Sequence, residues 1–181
     1  MSLFIRLIIF VISLAISQSV IAGADKFVLG PVIKSYGKHA AVQQDLVLNE
    51  TAKLKVAFDI SEQSKAGEVN RKIETLARFI NMHVANGIKP ENIHLALVVH
   101  GKAGFDLLKN SQYQAKFQHD NANAELLRQL MLNQVEVYLC GQSAAYYDLD
   151  NDMLLPGAKM ALSAMTAHAV LHNNGYHLNP F

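Results

Sequence analysis

The feature that most constrains the fold is an unbroken apolar run, Leu95 to Val99, inside the segment 93–100. A strand with one solvated face alternates apolar and polar residues, and this run does not alternate. A strand covered on both faces reads this way, which is typical of a parallel sheet with helices on each side. The run therefore predicts an α/β protein.

The neighbouring segments support the same fold class. Residues 54–59 alternate apolar and polar side chains and are predicted to form the first strand, and 135–140 the third. Between them an apolar stripe at three- and four-residue spacing predicts one helix, and Asn123 is placed to cap another. Residues 176–178 are predicted to form a terminal edge strand. This order predicts a three-layer α/β/α domain with a mainly parallel sheet.

The segment after Pro156 bears on assembly. Proline suits the first turn of a helix, and residues 158–171 are apolar nearly all round, so we predict one long helix here. A helix without a polar face is buried on more than one side. In a chain of 181 residues the second cover is expected to be another subunit, which predicts a homo-oligomer.

The amino terminus predicts export. Arg6 is followed by the apolar run 7–16 and by small residues around Ala22, which is the pattern of a secretory signal peptide. We therefore divide the chain into a signal peptide (1–22), an extended amino-terminal arm (23–53) and an α/β domain (54–181). The mature protein is expected in the periplasm or outside the cell, with no membrane contact after cleavage. The alternative is an uncleaved membrane anchor.

Charge and motifs exclude several function classes. The net charge of +1 argues against a nucleic-acid partner, which normally requires a strong basic excess. No glycine-rich fingerprint follows the first strand, so we expect no dinucleotide, and no other cofactor is indicated. His168 and His172 are spaced to share a metal, but no third ligand is evident, and we predict no metal site.

The most informative single residue is Cys140, the only cysteine of the chain, at the end of the third predicted strand. Reacting groups of parallel sheets gather at the carboxyl ends of strands. The amide groups that open the next helix, from the backbone of Cys140-Gly141-Gln142, are expected to stabilise a thiolate there. The alternative is an inert cysteine buried in the core.

Two further candidates lie at equivalent strand ends. Asp59 ends the first strand, and His100 and Gly101 follow the second. If the sheet is parallel, the carboxyl ends of its strands lie on one side, and that side carries Asp59, His100 and Cys140. A histidine there can hold a thiolate or move its proton. The alternatives are a histidine bonded to a loop carbonyl and an aspartate that caps a helix or a loop.

Several motifs together resemble the DsrE/DsrF-like family, and most closely its exported, mostly uncharacterised members. The resemblance covers residues 54–181 and is carried by Val98-Val99-His100-Gly101, Val137-Tyr138-Leu139-Cys140-Gly141-Gln142-Ser143, residues 155–167, Leu171 and Gly175-Tyr176. It implies a domain like a flavodoxin half, assembly into trimers or hexamers, and persulfide relay through a cysteine at the position of Cys140.

The resemblance also implies roles and partners. Carried over from the family, Cys140 would accept sulfur. Together with the position of Cys140 at a strand end, this motivates our hypothesis that His100 and Ser143 help by hydrogen bonding and that Asp59, Gly101, Gly141 and Gln142 complete the binding site. A sulfur donor or acceptor protein is the implied partner. We therefore predict an exported persulfide carrier or thiol-dependent sulfur-handling protein. The alternative is a non-enzymatic oligomeric binding or assembly protein whose cysteine is structural.

Overall fold

A computed structural model describes residues 23–179, and the predicted signal peptide, residues 1–22, lies outside them. Its sheet has five strands, all parallel, in the order β4-β3-β2-β1-β5. The strands are β1 (Leu54–Ile60), β2 (Ile93–Val99), β3 (Glu136–Cys140), β4 (Lys159–Ala161) and β5 (His177–Asn179). The predicted parallel sheet is confirmed, and so is the short terminal edge strand.

Five α-helices connect and flank these strands. They are α1 (Arg71–Ala85), α2 (Asn110–Phe117), α3 (Ala124–Leu132), α4 (Gly141–Tyr147) and α5 (Ala164–Asn173). A 3-10 helix over Gly101–Leu107 follows β2 directly. Within residues 23–179 no helix is both long and apolar enough to span a membrane.

The two faces of the sheet are covered unequally. The large apolar side chains of β1, β2 and β3 point to the face on which α1 and α3 pack and where the main core lies. The other face carries small residues such as Ala57, Ala96 and Val98, which let α5 approach closely through Ala167 and Leu171. Helices on both sides confirm the predicted three-layer α/β/α fold.

The predicted long helix after Pro156 is wrong. Gly157 adopts a left-handed backbone (φ 98°), and Lys159–Ala161 then pairs with β3 as the edge strand β4. The helix begins only at Ala164, where the Ser163 hydroxyl accepts a hydrogen bond of 3.0 Å from the Thr166 N–H. An unpaired edge of β3 beside the chain stabilises a strand here in spite of the helical apolar pattern.

The predicted capping role of Asn123 is also wrong in its chemistry. Asn123 precedes α3, but its side chain makes no capping hydrogen bond. It is fully buried, and its Oδ1 accepts from the Asn70 N–H at 2.7 Å while its Nδ2 donates to the Ser64 hydroxyl at 3.1 Å. The side chain of Asn123 therefore holds the loop after β1 in place, and only its backbone takes part in the start of α3.

The segment before β1 is irregular and is bound to α1 by one buried asparagine. Asn81 Oδ1 accepts from the Ile33 N–H at 2.9 Å, and its Nδ2 donates to the Ile33 and Tyr36 carbonyls at 2.9 and 3.0 Å. Ile33 inserts into the main core. One asparagine thus satisfies several backbone groups that no regular structure would pair.

Candidate functional site

The carboxyl ends of β1, β2 and β3 meet at one pocket of about 320 Å³. Val99 and Leu139 are register partners, so His100 and Cys140, which follow them, lie side by side at the sheet edge. The lining residues are Asp59, His100, Cys140, Gln142, Ser143, Ser163, Ala164, Met165 and His168. The expectation that Asp59, His100 and Cys140 face the same edge agrees with this geometry.

Asp59 joins two histidines from different elements. Its Oδ1 lies 2.9 Å from His100 Nε2, and its Oδ2 lies 2.6 Å from His168 Nε2 on α5. We call Asp59, His100 and His168 the Asp–His cluster. The bonding partner of His100 is therefore a carboxylate, not a loop carbonyl, and Asp59 binds side chains and does not cap a loop.

The Asp–His cluster fixes which ring nitrogen of each histidine faces the carboxylate of Asp59. Burial raises the pKa of Asp59, but the hydrogen bonds from His168 and then His100 lower it more, so the carboxyl pKa lies below its ordinary value. An ionised carboxylate only accepts hydrogen bonds, so each histidine carries its proton on Nε2. In the neutral form of each ring, Nδ1 is then the basic nitrogen.

Cys140 lines the pocket and is 6% exposed. Burial raises the pKa of its thiol. Hydrogen bonds from the Ser143 N–H and hydroxyl lower that pKa, and the N–H groups of Ala164 and Gln142 lower it further. Together they hold the pKa of Cys140 below its ordinary value, which favours the thiolate.

Ser143 links the loops after β2 and β3. Its Oγ accepts a hydrogen bond of 2.9 Å from the Gly101 N–H, which leaves its own hydrogen to donate to the sulfur of Cys140. Gly101 has φ 54°, and a Cβ there would lie 2.9 Å from the Ser61 carbonyl oxygen. Gly101 therefore contributes a backbone donor in a conformation that other residues rarely adopt.

Gly141 and Gln142 position the start of α5. A Cβ on Gly141 would lie only 2.7 Å from the Ala161 carbonyl oxygen, so the close approach of the β4–α5 connection requires glycine. Gln142 Nε2 donates to the Leu162 carbonyl at 3.2 Å. These contacts bring the first turn of α5, with its Ala164 N–H, to Cys140.

Sequence reasoning missed His168 as a member of this pocket. The sequence pairs His168 only with His172, as possible metal ligands. Within residues 23–179 no group of three or more His, Cys, Asp or Glu side chains is arranged to hold a metal ion. The Ser163 cap, visible as a serine before an apolar segment, was the signal that places the helix start correctly.

The arrangement provides a nucleophile with an acid–base group nearby. A thiolate stabilised by four hydrogen-bond donors is suited to attack sulfur, because thiol–disulfide chemistry proceeds through the ionised form. The Asp–His cluster lines the same pocket and offers two imidazoles that can accept or release protons. The pocket can therefore host sulfur exchange that involves a proton transfer.

Comparisons with known proteins give one family. The model of the DsrE/DsrF-like family matches residues 55–180. Among curated proteins we found no match. Among solved structures, the protein of unknown function MTH1491 from Methanobacterium thermoautotrophicum aligns with a TM-score of 0.49 and 16% identity, over 70% of this chain and 97% of that chain.

Proposed function

This chain belongs to the DsrE/DsrF-like family, and we propose that it carries sulfane sulfur as a persulfide on Cys140. The observation that supports the proposal most directly is the setting of the thiol. Cys140 lines a pocket, its pKa is lowered by four donors, and an Asp–His cluster lies beside it. An inert core cysteine needs none of these features.

The loading step balances without an outside oxidant. The Cys140 thiolate attacks the outer sulfur of a polysulfide or persulfide donor and forms a new S–S bond. The donor's own S–S bond breaks, and its remaining sulfur leaves with the electron pair. The hydrogen-bond donors around Cys140 also favour release of the carried sulfur, because they stabilise the Cys140 thiolate that forms when the sulfur is passed on.

Mass spectrometry after incubation with inorganic polysulfide tests the proposal. We expect a mass increase of one or more sulfur atoms that maps to Cys140 and disappears on reduction. The variant Cys140→Ser is the control and should gain nothing. A native protein that takes up no sulfur on Cys140 would contradict the carrier function.

The low exposure of Cys140, 6%, favours one second candidate, a binding or assembly protein with a structural cysteine. Titration with a thiol reagent separates the two. A carrier reacts in the native state through the pocket, whereas a structural cysteine reacts only after denaturant is added.

Export to the periplasm remains part of our proposal, and amino-terminal sequencing of the secreted protein would test cleavage near Ala22.

We also propose that the functional form is a homo-oligomer, a trimer or hexamer. Several large apolar side chains on or beside α5 are exposed, including Leu162, Met165, Val170 and Leu178. Exposed apolar side chains that form a contiguous patch are typical of a protein–protein contact, and we propose that these residues form one. We propose that a second copy of this chain covers these apolar side chains. A sulfur donor or acceptor protein would then bind at the part of the pocket mouth that stays open.

A further inference from the structure

A second pocket, of about 610 Å³, lies beside α3 and shares no lining residue with the pocket of Cys140. Three segments form most of its wall: the loop from Asp120 to Ala122, the turns of α3 from Ala124 to Met131, and Leu155-Pro156 before β4. Its volume falls within the range of roughly 300 to 1,000 Å³ that is typical of pockets for small organic molecules. The pocket is therefore large enough to hold such a ligand.

Hydrogen bonds hold the loop side of this pocket in place. Asn121 is buried, and its Nδ2 donates to the carbonyls of Asp106 and Leu108 at 2.9 and 2.7 Å. The Asn121 N–H donates in turn to Asn110 Oδ1 at 2.7 Å. A loop that is tied at both its backbone and its side chain keeps its position, so the pocket exists before a ligand binds.

Packing fixes the opposite wall. The Leu155 N–H donates to the Leu107 carbonyl at 2.9 Å. A Cβ on Gly157 would lie 2.8 Å from Met131 Sδ, so the turn after Pro156 rests directly on the Met131 side chain. Both Leu155 and Met131 also pack against the main core. This wall is apolar, and a methionine side chain adapts its shape to a bound ring or chain.

The charged groups of the pocket leave one negative charge uncompensated. Arg128 donates to both carboxylate oxygens of Glu125 at 2.7 Å, so these two charges offset each other. Asp120 receives only a neutral donor, the Asn110 amide, at 3.0 Å. No basic side chain within residues 23–179 forms an ion pair with Asp120. One end of an apolar cavity therefore carries a carboxylate that a cation would complement.

We propose that this pocket binds a small organic amine, whose apolar ring or chain lies between α3 and Leu155 and whose cationic nitrogen lies beside the Asp120 carboxylate. The uncompensated charge of Asp120 selects a cation over an anion. The apolar body follows from the side chains of Ala122, Met131 and Leu155, which offer contact area and no hydrogen bonds. The site is separate from the sulfur chemistry proposed for Cys140.

A matched series of probes tests the inference. Naphthylmethylamine, naphthylmethanol and naphthylacetate share one apolar body and differ in charge, being a cation, a neutral molecule and an anion. Isothermal titration calorimetry with the purified protein gives the Kd of each. We expect saturable binding of the amine, roughly fivefold weaker binding of the alcohol, and still weaker binding of the acetate. Cys140→Ser should bind the amine as the wild type does.

Two further measurements assign the binding to this pocket. In NMR spectra of protein with isotope-labelled methionine methyl groups, the amine should shift the signal of Met131 and not that of Met165 at the Cys140 pocket. Asp120→Asn should remove the preference for the amine over the alcohol. Asp45→Asn makes the same chemical change on the exposed segment before β1 and should retain the preference.

The contrary outcomes are defined. Absence of saturable amine binding, or a shift of Met165 in place of Met131, overturns the inference. Equal affinities of the wild type for the amine and the alcohol, or an unchanged preference in Asp120→Asn, also overturn it. If Asp120→Asn does not fold, added salt replaces it: the wild-type preference must fall with ionic strength, and a salt-independent preference contradicts the inference. None of these results bears on the loading of Cys140, which is measured separately.

Discussion

At the scale of single residues, the sequence predicts which site residues come together when their positions at strand ends alone decide it. Asp59, His100 and Cys140 each end or follow a strand, and in a parallel sheet such residues share an edge, so their convergence could be predicted. His168 is 109 positions from Asp59 in the chain, and no local sequence pattern predicts the hydrogen bond between them. The same holds for the buried asparagines Asn81 and Asn123, whose partners lie far away in the chain.

Replacement of the Ser143 side chain should most directly change the pKa of the Cys140 thiol. Ser143→Ala deletes one of the hydrogen bonds that lower the pKa of Cys140, so we expect that pKa to rise, and the thiolate fraction at neutral pH to fall. The thiolate absorbance in the ultraviolet, followed through a pH titration, measures it. Ser111→Ala, on the exposed surface of α2, is the control and should not move the titration. An unchanged curve in Ser143→Ala would contradict the role of the hydroxyl.

Asp59 should make stability depend on pH in a defined direction. Its pKa is lower in the folded protein than the value of about 3.9 in an unfolded chain, so its carboxylate stabilises the fold above that pH. This stabilisation is lost as the pH falls through the folded pKa. Asp59→Asn should therefore be less stable than the wild type at neutral pH, and the difference should shrink in acid.

Urea unfolding at several pH values measures this difference. Asp45→Asn, an exposed carboxylate-to-amide change, is expected to follow the wild type throughout. A difference between Asp59→Asn and the wild type that grows as the pH falls would contradict the assignment.

At the scale of elements, the apolar patterns identified β1, β2, β3 and α1, but they predicted a helix where the segment after Pro156 forms β4. Residues 158–171 satisfy a helical apolar pattern, yet Lys159–Ala161 forms β4 because the edge of β3 offers backbone partners. Tertiary pairing overrides local propensity in such short segments. The consequence is functional, since a helix that begins at Ala164 delivers both an N–H group and His168 to the pocket.

The start of α5 should depend on its cap. Ser163 accepts from the Thr166 N–H at 3.0 Å, and its hydroxyl also lies 2.9 Å from Thr166 Oγ1. Ser163→Ala should lower the free energy of unfolding by about 1 kcal/mol, which is typical for loss of a serine cap. Urea denaturation measures the change, with Ser111→Ala as the control. Stability equal to that of the wild type would show that α5 does not need this cap.

At the scale of the whole molecule, one face of the sheet is covered only by α5 among the described helices, whereas the other carries the main core. The sequence prediction of an oligomer rested on a helix buried on two sides. The structure gives a different basis for expecting an oligomer. The helix α5 is shorter than predicted, and its outer surface carries exposed apolar side chains. The oligomer itself stays a prediction.

A charge on the outer surface of α5 should disrupt that assembly. Val170 is 53% exposed and does not line the pocket, so Val170→Lys should dissociate the oligomer without unfolding the domain. Light scattering after size-exclusion chromatography gives the mass. Val47→Lys makes the same change at a residue that is 89% exposed in the segment before β1, and this control should retain the wild-type mass. A wild-type protein that is monomeric, or a Val170→Lys oligomer of unchanged mass, would contradict the proposal.

The proposed carrier function requires that Cys140 is ionised and accessible to reagents in the folded protein. The most direct test is the rate at which native Cys140 reacts with iodoacetamide as a function of pH. We predict reaction without denaturant and an apparent pKa below the value of about 8.5 of an ordinary cysteine. An apparent pKa at or above that value, or reaction only after unfolding, would contradict the account.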